Sequence, residues 1–87
     1  MHAVVVRVTI KDQEAADSHL RETVVPRISQ APGFSAGYWT RKDNAGLAMV
    51  VFDSLDAATS ASDQVPSMIP DAVTLESVEV REVVANA

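Results

Sequence analysis

APGFSAGYWTRKDNAGLAMVVFDS, residues 31–54, reads as two strands joined by a tight loop, and the rest of the chain is organised around it. Phe34 to Lys42 is rich in aromatic and β-compatible residues and Leu47 to Phe52 is almost wholly apolar. Asp43, Asn44, Ala45 and Gly46 between them are turn residues that tolerate positive φ. Pairing Lys42 with Leu47 sets Trp39 opposite Val50 and Tyr38 opposite Val51. Side chains alternate along a strand, so Trp39, Val50 and Phe52 share one face while Tyr38, Thr40, Met49 and Val51 share the other. Neither face of the second strand is polar. Two helices can cover one face of so small a sheet, and the other face needs a partner.

Working outward, the strand His2 to Ile10 alternates, with His2, Val4, Val6, Val8 and Ile10 on the core face and Ala3, Val5, Arg7 and Thr9 on the other. Asp12 caps a helix that starts near Gln13 and carries Glu14 and Asp17 at the positive end of its dipole. Ala16, Leu20, Val24 and Ile28 recur every four residues and should lie on the sheet. Pro26 cannot donate to the carbonyl of Glu22, which predicts a kink or break at Val25 and a last turn to about Ser29. Pro32 and Gly33 then turn the chain into the hairpin. Beyond it, Ser54 caps a short second helix bearing Leu55, Ala58, Ala61 or Ser62, and Val65 at helical spacing. Pro66 and Pro70 close it, and a long last strand follows, about Val73 to Val84. The order βαββαβ with right-handed crossovers predicts an α+β, ferredoxin-like domain over residues 1–87. Its antiparallel sheet has four strands in the order 4-1-3-2, with both helices on one face. Two such sheets facing each other form a dimeric α/β barrel.

Composition narrows the function classes. At 87 residues the chain is a single small domain, burying about 60–65% of its unfolded surface, so a second copy would help it. A net charge of −5 with scattered basic residues argues against nucleic acid as a partner. No apolar run approaches a bilayer span and the N-terminus lacks signal-peptide character, which predicts a cytoplasmic protein with no membrane partner. The absence of cysteine removes thiolate nucleophiles and sulfur-ligated metals.

The chain resembles the dimeric α+β barrel superfamily, specifically the small single-domain proteins related to antibiotic biosynthesis monooxygenases. The resemblance covers nearly the whole length. It rests on Pro26 late in the first helix, the Pro32, Gly33, Phe34 turn, the Tyr38, Trp39 pair, and the Phe52, Asp53, Ser54 run with Ala57 and Ala58. It implies a homodimer with a pocket in each subunit between sheet and helices. Some members of the family oxidise quinol-like aromatics with dioxygen and neither metal nor flavin, and others break down haem. The haem-degrading branch uses an Asn, a Trp and a His where this chain has Val6 or Arg7, Phe52, and Ser62 or a neighbour, so that activity is not expected. The substrate-orienting aromatic residues of the polyketide-oxidising members map loosely onto Trp39 and Tyr38.

The candidate ligand pocket therefore comprises Trp39, Phe52, His19, Tyr38 and Arg7. Trp39 and Tyr38 are adjacent and point to opposite faces, so at most one lines a given pocket. Trp39 either stacks on a flat substrate or fills core, and Tyr38 suits a dimer interface. His19 is a possible base beside Leu20, or a boundary residue. Arg7 either pairs with Glu79 across the ladder, in a group with Arg81, or anchors an anionic ligand group. His2 and His19 lie in unrelated elements without ligand spacing, so no metal is expected, and the resemblance implies that no cofactor is needed. Ser54 is a cap, with no nucleophile motif around it. Two readings stand: a cofactor-independent monooxygenase acting on an apolar aromatic compound, and a non-catalytic homodimeric small-molecule-binding or structural module.

Overall fold

The computed structural model describes residues 1–87 and has the ferredoxin-like α+β architecture. Strands β1 (His2–Ile10), β2 (Phe34–Lys42), β3 (Ala45–Phe52) and β4 (Val73–Glu82) form one antiparallel sheet in the order β2-β3-β1-β4. Both helices pack on the face that carries Val4, Val50 and Phe52, and the core sits there with Ile28, Ala58, Ala61 and Val65.

The hairpin is tighter than the sequence suggests. Lys42 pairs with Ala45, Trp39 lies opposite Ala48 and Tyr38 opposite Met49, each two residues from the expected register. Ala45 and Gly46 join β3, leaving Asp43 and Asn44 as the turn, with Asp43 at a φ of 54° that Asp tolerates. A slip of two residues preserves side-chain parity, so Trp39, Val50 and Phe52 still share a face; a slip of one would have inverted it. The Asn44 carbonyl accepts from the Ile10 amide at 2.7 Å and fastens the hairpin tip to β1.

Asp12 caps the first helix, its carboxylate accepting from the Ala15 amide at 3.1 Å. No break occurs at Val25. Helical backbone continues through Gln13–His19, a π-helical turn over Leu20–Val24, and Val25–Ser29. In the π turn the Val25 amide donates to the Leu20 carbonyl, five residues back. This widened turn precedes Pro26, which lacks an amide hydrogen and would crowd the carbonyl four residues earlier in a regular helix. It also serves the apolar row. A strict four-residue repeat drifts by about 40° per step on a regular α-helix, and underwinding brings Ala16 and Ile28, both buried, back onto one side.

Ser54 caps the second helix, Leu55–Gln64, with its hydroxyl accepting from the Ala57 amide at 3.1 Å. A 3₁₀ turn over Val65–Met68 begins beside Pro66, where a proline is tolerated. β4 ends at Glu82, short of the expected Val84, which is exposed. An irregularity opposite Arg7 and Val8 shifts its register, so that Val80, Val78 and Leu75 pair with Val4, Val6 and Val8. The expected Arg7–Glu79 pair does not form. Arg7 lies opposite Ser77, and Glu79 bonds Arg81 at 2.8 Å, two residues along the same strand and on the same face.

Candidate functional site

The two helices approach the sheet differently. The second helix, with Ala58 and Ala61 facing inward, comes close to β1, β3 and β4. The first makes its close approach near Val25–Ser29, against β2, and its earlier part nears the sheet at few points. Small side chains let a helix sit down on its neighbour, whereas Leu20 and Val24 hold theirs away. Between the raised part of the first helix and the sheet lies a cavity of about 400 Å³.

Its floor is the core face of the sheet, with Val4, Val6, Val8 and Ile10 from β1 and Ala48 and Val50 from β3. Ala16, Leu20 and Val24 form the roof, and Met68, Ile69 and Val73 close one end. Of the 24 lining residues 18 are hydrophobic. That size and lining are those of small-molecule sites, which run from roughly 300 to 1,000 Å³.

Trp39 forms a side wall. Its ring folds back along β2 over Gly37, where a Cβ would stand 2.9 Å from ring carbons Cη2 and Cζ3. Gly37 is thus required by the close approach of the indole. Phe34 borders the same glycine and meets Phe52 edge-on, with ring centroids 6.3 Å apart and planes at 82°. Gly33, at a φ of 80°, makes the turn that places Phe34, and its carbonyl accepts from the Asp53 amide at 2.9 Å. Any Cβ there would collide with the Asp53 carboxylate and Ala57. The Pro32, Gly33, Phe34 turn and the Phe52, Asp53, Ser54 run therefore lock together.

Polar groups are few and are engaged at the edges. His19 lines the cavity and its Nε2 lies 3.0 Å from the Met68 carbonyl. A carbonyl only accepts, so Nε2 donates to it, and in the neutral imidazole the lone pair then lies on Nδ1. Nδ1 has no protein partner and is not buried. Asp17 and Arg41 form an ion pair at 2.6 Å, with side chains 34% and 35% exposed, where the first helix meets β2. One turn earlier, Gln13 Nε2 donates to the Asp43 carbonyl at 3.0 Å. The raised helix is thus strapped to the hairpin on one flank and to the Met68 segment on the other.

Trp39, Phe52 and His19 come together around this cavity; Tyr38 and Arg7 do not. The latter two lie on the opposite face because strand side chains alternate, Tyr38 beside Met49 and Arg7 beside Leu47. Sequence reasoning missed Asp17 and Arg41. Arg41 shares parity with Trp39 on β2, a signal for its face, but its distance from Asp17 depends on where the helix lies. No three His, Asp or Glu side chains gather as a metal site. His2 sits at the far end of β1 opposite Phe52, its Nδ1 buried without a partner. No helix is long and apolar enough to cross a membrane. Comparison with known protein families found no matching model, and comparison with curated proteins found no match.

Proposed function

We propose that the protein is a homodimer of the antibiotic biosynthesis monooxygenase-like kind that binds an apolar, aromatic small molecule between the first helix and the sheet. The observation that carries this reading is the largely hydrophobic cavity of about 400 Å³ with Trp39 as its wall. The residue pattern shared with that family supports it, and a cytoplasmic setting belongs to the same proposal. Trp39 is the chain's one tryptophan, so its fluorescence tests the site directly. Titration with quinols, flavins, haem and fatty acids should give saturable quenching with a flat aromatic class. Emission unmoved by the whole panel would refute the site.

A catalytic reading is favoured by the open Nδ1 of His19 at the same cavity. In this reading Nδ1 takes the hydroxyl proton of a bound phenol, and the electron-rich ring reacts with dioxygen. One oxygen atom enters the ring, the other leaves as water, and the ring, oxidised to a quinone, supplies all four electrons. Oxygen consumption with a phenol that quenches Trp39 should fall at least tenfold in His19→Ala. Binding without oxygen uptake would leave the protein a carrier or sensor.

The dimer is proposed from the other face of the sheet, where Tyr38, Met49 and Leu47 are 67%, 44% and 38% exposed side by side. The chain exposes 5484 Å², against about 5,000 Å² for a compact monomer of its mass. Face-to-face pairing of two copies would cover this patch in an isologous interface of more than about 1,200 Å² in total. Sedimentation at micromolar concentration should show a dimer, and Met49→Glu should shift it to monomer. A wild-type monomer would overturn this part.

A further inference from the structure

We infer, on the reading of the cavity as a small-molecule site, that the Asp17–Arg41 pair restricts it to uncharged ligands and that Asp17 sets the restriction. Three ionisable side chains border the cavity: Asp17, His19 and Arg41. Arg41 lies two residues beyond Trp39 on β2 and lines the same space. An unpaired guanidinium there would be an anion trap, because its planar fork of donors matches a carboxylate or sulfonate and its field is strengthened beside an apolar wall. Asp17 already neutralises it, Oδ1 accepting from Arg41 Nη1 at 2.6 Å.

The pair leaves the rim with no net charge and raises a barrier against ions of either sign. An anionic ligand that takes the Nη1 donor must displace a carboxylate tethered on the neighbouring helix, which competes at high effective concentration. One that takes the remaining donors still sits beside that negative charge. A cation finds Asp17 taken and an aliphatic interior that cannot solvate it. His19 offers no further anchor for an anion at Nε2, whose proton is committed to the Met68 carbonyl. The chain's net charge of −5 adds a longer-range bias against anions. A neutral apolar molecule meets none of these penalties.

The test uses two fluorescent probes with the same rings, N-phenyl-1-naphthylamine and its 8-sulfonate, titrated into the full-length chain at pH 8. The neutral probe should bind at least tenfold more tightly than the sulfonate. Asp17→Asn frees Arg41 and should narrow that ratio tenfold or more; Asp17→Ser serves if the first variant does not fold. Arg41→Gln, which removes the cation and keeps the carboxylate, should leave the sulfonate excluded. An unchanged ratio in a folded Asp17 variant overturns the inference while leaving the cavity reading intact. Equal binding of both probes by the wild type does the same. Binding of neither probe overturns the cavity reading itself, and this inference with it.

Discussion

Both helices cover the same face of one sheet, yet one is seated and the other is raised. The second helix packs Ala58 and Ala61 into one buried cluster with Val4, Val50 and Phe52. The first helix carries Leu20 and Val24 on a widened π turn and encloses a cavity beneath its first half. The difference lies in side-chain size and helical phase, both written into short stretches of sequence. It teaches that a helix can be amphipathic and well capped and still serve as a roof, provided polar straps at its flanks do what close packing does elsewhere.

The contrast is most exposed to failure by truncation. Phe52→Ala, which removes a fully buried ring packed between the seated helix and the cavity, should destabilise the protein by about 3–5 kcal/mol, as for other buried aromatic truncations. Leu20→Ala, beside space that is already open, should cost about 1 kcal/mol, less than typical core truncations. Chemical denaturation midpoints of the pair measure the difference, and equal losses would mean that the cavity is closed in solution.

Enlargement reverses the logic. Ala58→Leu should cost about 1–3 kcal/mol through overpacking. Ala16→Leu projects into the cavity and should change stability by less than about 1 kcal/mol, since it fills a space already present. The same change should reduce binding of any ligand that quenches Trp39. A large loss of stability from Ala16→Leu would show that the first helix is seated after all.

Gly37→Ala sharpens the picture of the wall. Its new Cβ pushes the indole off β2, so the emission maximum of Trp39 should shift at a stability cost of about 1 kcal/mol, the low end for overpacking. Spectra identical to wild type would place the indole elsewhere. The smallest effect is expected from Pro26→Ala. If the apolar row sustains the π turn, Cα chemical shifts from Leu20 to Val24 should keep their pattern, with stability within about 1 kcal/mol. Reversion to regular α-helical shifts would assign the turn to the proline alone.

How much of the site was legible in sequence follows from the range of each signal. The parity of Trp39, Val50 and Phe52 was readable and survived a wrong register, because the error was two residues. The caps at Asp12 and Ser54 were readable because a cap is a local bond, made within three residues. Tyr38 and Arg7 stand on the sheet face opposite Trp39, and the alternation that puts Tyr38 and Trp39 on opposite faces was itself readable in the sequence. The π turn was half legible: Pro26 announced a disturbance, and the four-residue row held the information that the helix would bend to it rather than break.

Periodicity and local hydrogen bonding set the order of elements, the core face of each strand, the helix starts and the ferredoxin-like topology, and all of these are written along the chain. Tertiary structure alone decided that the first helix stands clear of the sheet. With that, it decided that Asp17 meets Arg41 across 24 positions and that His19 reaches the Met68 carbonyl across 49. Such contacts depend on the height of a helix above a sheet, a quantity set by the summed volumes of side chains from several elements, and no window of neighbouring residues contains it.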